Sequence, residues 1–284
     1  MANVRELKHR IKAVQKTKQI TRAMKMVATV RYKRALESFQ SAKPYLAGIA
    51  KLKSRIFSLP GIYQHPLFET RKVERLGVIV IGSDKGLCGS FNSNLFRLAL
   101  RSVSQEIESG KNVKLILLGR KSKDFFKRLP YPIAESEMHL EATPFKAKEL
   151  TKKWAAYFTS GHYDQVVVMH NHFINVMQCV PMATQLFPLV KEPGELEEPF
   201  AVLLEPDKPS LIAHMAVHAP EMAIYQILLE SSVAEQGIRM TMMDQATQKA
   251  DDLTRELTVH MNKARQASIT NELIEMTAAS EALR

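Results

Sequence analysis

From Met1 to Lys43 the chain has neither glycine nor proline, and after Pro220 it has one glycine, Gly237, and no further proline. Stretches that long without a breaker are helices. Near the start, Val4, Leu7, Ile11, Val14, Lys18 and Thr21 recur at alternating steps of three and four, and Met24, Ala28, Arg31 and Ala35 continue after a small slip in phase. This spacing predicts a helix of about 50 residues with a narrow seam, running on past Pro44. At 1.5 Å per residue, its first 43 residues already reach roughly 65 Å, more than the width of a small domain. Near the end, Met240, Met243, Thr247, Ala250, Thr254, Leu257, Met261, Ala264, Ser268 and Asn271 step in the same way. Each stripe needs a surface to bury it, and an antiparallel coiled coil made by the two ends of one chain is the economical solution. Toward the C-terminus the second seam decays into Ala264, Ser268 and Asn271, too small and polar to hold a tight pair. That tail is expected to outrun its mate and lean on another surface.

Between the ends the periodicity changes. "RLGVIVIG" (75–82), "NVKLILLG" (112–119) and "YDQVVVMHN" (163–171) are short, continuous apolar runs that read as buried strands of a mostly parallel sheet. Residues 92–110 and 144–160 have helix length and spacing, which gives strand–helix–strand alternation. "EEPFAVLLEPD" (197–207) reads as one more strand, at an edge, after a surface loop "KEPGELEEP". The expected fold class is α/β with long terminal helices: an antiparallel two-helix coiled coil plus a central Rossmann-like domain. The expected segments are 1–58 for the N-terminal helix, 72–208 for the α/β domain and 209–284 for the C-terminal helix.

Composition narrows the function. The net charge of +11 is concentrated at one end, because residues 1–43 hold twelve Lys and Arg against Glu6 and Glu37 alone. Such a field attracts nucleic acid, anionic lipid or an acidic protein surface, or is simply a solvated helix face. No apolar run approaches the ~18–20 residues that span a bilayer, and none at the start resembles a signal peptide. Cys88 and Cys179 are the only cysteines, in no C-x-x-C, which suits a reducing compartment and excludes a disulfide scaffold or zinc ribbon.

The loop "GSDKGLCGSFN" (82–92) follows the first strand and looks like a phosphate cradle. Its spacing gives neither G-x-G-x-x-G nor the P-loop pattern, since Lys85 precedes a glycine where the P-loop needs Lys then Ser or Thr. The glycines are expected to serve the turn, and Asp84 to cap the helix that follows. His170 and His172 could pair on a metal, but no third ligand cluster is evident, and a polar strand end is the plainer reading. Cys88 lacks a sequence partner and reads as a packed thiol. Met240, Met242 and Met243 read as adaptable packing. No catalytic constellation, cofactor site or metal site emerges. Two alternatives stay open on these grounds: a nucleotide-binding α/β enzyme using loop 82–92, and a basic coiled coil that binds nucleic acid.

"QITRAMKMVA" (19–28) and "NKARQASITNELIEM" (262–276) resemble the two end signatures of the gamma subunit of F-type ATP synthases, with "SDKGLCGSFN", "NHFINVMQCVP" and "LLEPD" between them in the family's order. The likeness covers essentially the whole chain. It departs at Ala279 and Ser280, where Gly-Ala is common, and at Gly237, where a helix former is common. The resemblance implies a non-catalytic rotor shaft, bacterial in type because the dithiol insertion of plant plastid relatives is missing. It implies a C-terminal helix that enters the cavity of three alpha and three beta subunits, and a foot on the c-subunit ring beside epsilon. Rotation driven by proton flow would then push the catalytic beta sites through ATP synthesis, with no nucleic-acid partner. The complex would lie peripherally on the cytoplasmic side of the inner membrane. Matched by motif, Met24, Lys25 and Arg239 fall near an acidic beta loop. Arg265, Gln266, Thr270 and Glu272 fall on alpha and beta loops, and Glu205 on the ring and epsilon side.

Overall fold

The computed structural model describes residues 4–57, 65–190 and 205–282. It divides into two compact units, Val30–Ile238 and Met1–Thr29 together with Arg239–Arg284. The terminal helices are α1 (Val4–Phe57) and α5 (Lys208–Ala282); Pro44 and Pro220 lie inside them without ending them.

The Val30–Ile238 unit is built on a five-stranded sheet. In chain order come β1 (Arg75–Ile81), α2 (Phe91–Glu108), β2 (Asn112–Leu118), α3 (Arg120–Phe126), β3 (Ile133–Glu137), α4 (Pro144–Thr159), β4 (Gln165–Asn175) and β5 (Gln178–Phe187). The strand order is β3-β2-β1-β4-β5; β3, β2, β1 and β4 run parallel and β5 returns antiparallel to β4. β1 is continuously apolar because both its faces are covered. Leu76, Val78 and Val80 join Leu95, Phe96, Ala99 and Val103 of α2 in one core. Ile79 and Ile81 join Trp154 and Phe158 of α4 and Ile212, Ile224 and Leu228 of α5 in the other.

Besides the short 3₁₀ helix Pro66–Phe68, three elements escape the sequence reading: α3, β3 and β5. β5 begins in a stretch notable there only for its family likeness, and it carries Pro181, whose missing N–H suits an edge strand. Of the expected strand 197–207, residues 197–204 lie outside the described residues and 205–207 are in no strand. The seam of α1 is also corrected. Arg31 is exposed and Tyr32 half-buried in its place, so Lys25, Ala28, Tyr32 and Ala35 continue the three–four stepping without a slip.

Two local features hold the sheet's ends. Gly119, between β2 and α3, has φ +88°, and a Cβ built on it would stand 2.2 Å from the Gly82 carbonyl oxygen. At the other end Asp164, its side chain 3% exposed, accepts from the backbone N–H of Glu74 and Arg75 and from the Arg75 guanidinium at 2.8 Å. The Arg75 hydrogen bond, helped by those amides, holds this carboxyl below its ordinary value. The unfolded chain therefore takes up its proton first as pH falls. The stability this group contributes is complete above the unfolded value near ~4 and is lost as pH drops through the folded value. In Asp164→Asn, urea-unfolding free energies below about pH 4 are expected to fall less steeply with acidification than in the native chain. Parallel slopes would show that Asp164 is not a principal titrating group.

Candidate functional site: the paired terminal helices

The second unit is an antiparallel helix pair, and its middle is polar. Lys18 Nζ lies 2.6 Å from Asp251 Oδ1, and Lys25 Nζ lies 2.6 Å from Asp244 Oδ1. Between them the Thr247 hydroxyl donates to that of Thr21 at 2.8 Å. The Lys18 ammonium lowers the Asp251 carboxyl below its ordinary value. Leu7, Ile11, Ala28, Met243 and Ala250 supply the buried apolar part of this seam. Sequence reading placed Lys18 and Thr21 on the seam but gave Asp244 and Asp251 no role. The available signal was a matching interval: two lysines seven residues apart on one helix, two aspartates seven apart on the other.

The same pairing shows where the described part of the mate ends. With Lys18 beside Asp251, the antiparallel count brings Val4 level with about residue 265. The seam of α5 stays partly covered at Leu257, Met261 and Ala264, and residues 265–280 are exposed all round. Ile269, Leu273, Ile274 and Met276 are 49–65% exposed on this unmated tail. Leu273 and Met276 lie four and seven residues beyond Ile269, so they share one face.

The motif-matched residues are spread along this unit, except Glu205, which is exposed just ahead of α5. Met24 is half-buried, Lys25 is engaged by Asp244, and Arg239 is buried, at 6% exposure. Arg265, Gln266, Thr270 and Glu272 all lie on the exposed tail, where Thr270 bonds back to the Gln266 carbonyl and Glu272 accepts from Ser268. The structure thus gathers four of them on one bare helix and leaves Lys25 and Arg239 largely occupied by the chain itself.

Three backbone amides of loop 82–92 are engaged within the chain. The amide of Ser83 donates to Asn92 Oδ1 at 3.0 Å, that of Gly82 to the Leu118 carbonyl, and that of Phe91 to the Cys88 carbonyl. These are N–H groups that a phosphate cradle would turn toward its anion. Gly89 takes φ +55° and Gly82 leaves no room for a Cβ, which would meet Ser122 Oγ at 2.3 Å. Gly86 is under neither demand, and Leu87 adopts φ +62° instead. Asp84 caps α3, accepting from the Arg120 amide at 2.9 Å, rather than the helix that directly follows. The adjoining cavity, lined by Gly82, Asp84, Lys85, His139 and neighbours, has a volume of about 270 Å³, below the range of ~300–1,000 Å³ usual for small-molecule sites.

Cys88 is buried against Ser83 and Asn92. The two histidines have separate partners: His170 Nε2 meets Thr184 Oγ1 at 3.0 Å, and His172 Nδ1 meets Glu230 Oε2 at 2.6 Å. Burial pushes His170 down to about 4, so it is neutral near pH 7. Among the described residues no three His, Cys, Asp or Glu side chains converge to hold a metal. No described helix is long and apolar enough to cross a membrane.

The family model described as ATP synthase matches residues 3–283. The chain is 36% identical over 286 residues to the ATP synthase gamma chain of Desulforamulus reducens, and 35% identical over 288 residues to that of Legionella pneumophila. Each alignment covers 100% of both sequences. In fold it is similar to a chain of the Euglena gracilis mitochondrial ATP synthase OSCP/F1/c-ring structure, with TM-score 0.70, 16% identity, and 99% of this chain and 94% of that one covered. It is also similar to a chain of the Tetrahymena thermophila mitochondrial ATP synthase central stalk/c-ring structure, with TM-score 0.61, 24% identity, and 80% and 99% covered.

Proposed function

The chain belongs to the ATP synthase gamma-chain family, and from that premise we propose how this rotor subunit meets the rest of its complex. It is the central shaft, without a catalytic site of its own, that couples rotation to ATP synthesis or hydrolysis. The unmated tail enters the cavity of three alpha and three beta subunits, where Arg265, Gln266, Thr270 and Glu272 meet their loops. Met24, Lys25 and Arg239 form a lower contact zone facing an acidic beta loop. Glu205 faces the c-subunit ring and epsilon. Proton flow turns the ring and the shaft with it, and the uneven face of the shaft drives each beta site in turn through different nucleotide affinities. The complex sits on the cytoplasmic side of a bacterial inner membrane, and this subunit is attached only through its neighbours.

One observation carries this reading: a helix exposed on every side from residue 265 to 280 that still bears Ile269, Leu273 and Met276 on one face. A helix apolar enough to dock yet lacking a mate within its own unit is made to run against another surface. Its polar neighbours keep that contact weak enough to slide. Lys25 and Arg239 can add to the lower zone only with what exposure their internal contacts leave, so Met24 and the tail carry most of the engagement.

Co-expression with alpha, beta and epsilon tests the proposal. The expected result is one complex that contains all four and hydrolyses ATP, while the isolated chain is inert. Titration of the isolated chain with ATP and magnesium should give no stoichiometric heat. Micromolar binding abolished by Lys85→Ala would overturn this reading in favour of a nucleotide-binding enzyme, as would failure to co-purify with alpha and beta.

A further inference from the structure

We infer that Lys18, Lys25, Asp244 and Asp251 form a clasp that fixes how the two terminal helices meet along their length, and with it the direction in which the tail projects. The need for a clasp follows from what the seam lacks. Between Lys18 and Ala28 the inward positions of α1 are Thr21, Met24 and Lys25, and between Met243 and Ala250 those of α5 are Asp244, Ala246 and Thr247, with Ala28, Met243 and Ala250 the buried apolar residues at the ends. Met24 and Met243 apart, these are small or polar residues that make poor knobs, and such a seam resists sliding and rolling only weakly.

The ion pairs supply what the packing does not. Both are 2.6 Å long, and they are separated by seven residues on each helix, with the Thr21–Thr247 bond between them. Sliding one helix by a heptad would bring Lys25 to Asp251 but leave Lys18 facing Thr258, so one pair survives and the other is lost. Rolling either helix parts both. The four side chains are 35–40% exposed, so each pair adds little to overall stability. Polar groups on a seam act chiefly on register. Residues 265–280 have no mate, and a slide of one heptad would carry them about 10 Å along the axis. This inference concerns geometry within one chain, so it stands or falls separately from the engagement proposed above.

The test uses the full chain carrying Cys88→Ala and Cys179→Ser, with nitroxides attached at Gln15→Cys and Lys263→Cys, both exposed positions. Pulsed electron resonance should give one narrow distance. Lys18→Asp with Lys25→Asp, which sets like charges face to face, should broaden it or add a population displaced by about 10 Å. Adding Asp244→Lys and Asp251→Lys restores opposite charges and should restore the single distance, which a merely space-filling role would not do. Hydrogen exchange on unlabelled chains with native cysteines provides a second readout. Amides of residues 15–28 should exchange at least ~10-fold faster in the two-lysine variant and return to within ~3-fold in the four-residue swap, with β1 and β2 unchanged. An unaltered distance in the two-lysine variant would overturn the inference. So would a swap that fails to restore it, or faster exchange that spreads to β1 and β2.

Discussion

Gly119→Ala is expected to lower the stability of the Val30–Ile238 unit by roughly 3–5 kcal/mol, a large share of a domain's usual margin. The added Cβ would stand 2.2 Å from the Gly82 carbonyl oxygen and 2.8 Å from its carbon. Both atoms are backbone, so no side chain can swing aside. The residue must also keep φ +88°, a conformation that costs an L-residue roughly 1–3 kcal/mol by itself. Gly110 separates the two costs: it has φ +84° and nothing within 4 Å of a built Cβ. Gly110→Ala should therefore show only the smaller, conformational loss. Urea unfolding followed through Trp154, the single tryptophan and 1% exposed, reports on this unit directly. Equal losses in the two variants would mean that the β1–β2 end relaxes around the clash.

Ending the chain after Asn262 should separate folding from function. Among the residues whose burial is described, the cut removes one partly covered seam residue, Ala264, and otherwise only exposed helix up to residue 280. Helicity should fall in proportion to the residues removed, and urea unfolding followed through Trp154 should be unchanged within about 0.5 kcal/mol. In the assembled complex, loss of the proposed tail contacts should cut ATP-driven proton pumping by roughly tenfold or more, which corresponds to about 1.4 kcal/mol of lost engagement. A truncated chain that unfolds at lower urea would show the tail to be part of its own fold. Full pumping by the truncated rotor would remove the tail from torque transmission.

The elements legible in the sequence are those whose burial is uniform. β1, β2 and β4 are covered on both faces for most of their length, and each reads as an apolar run. α1 and α5 are legible from stepping and from the scarcity of breakers. β3 is an edge strand with sequence IAESE and no buried residue, so hydropathy gives no sign of it. Its Glu135 and Glu137 are held by Lys153 and Lys146 of α4, contacts between distant positions that no local pattern records. In the helix pair, the seam was legible and the partners across it were not. Stepping shows which face of a helix points inward, whereas the Lys18–Asp251 and Lys25–Asp244 contacts depend on which residues stand level. That is a property of two helices together. The loop 82–92 was legible as a turn, because its glycines solve a steric problem, but the part played by Asp84 at α3 required the fold.

Beyond Ala264, α5 is exposed on every side as far as residue 280, so the described helix pair changes there from two rods to one. Joined rods resist bending far more than the same rods apart, because each stiffens the other across the seam. Under load, flexure therefore collects in the lone section. If the rotor is driven from the paired end while the lone end is held by its bearing, the lone section is the compliant element in series. It can wind while its held end waits and release when that end moves, so the two ends of the rotor need not advance in step.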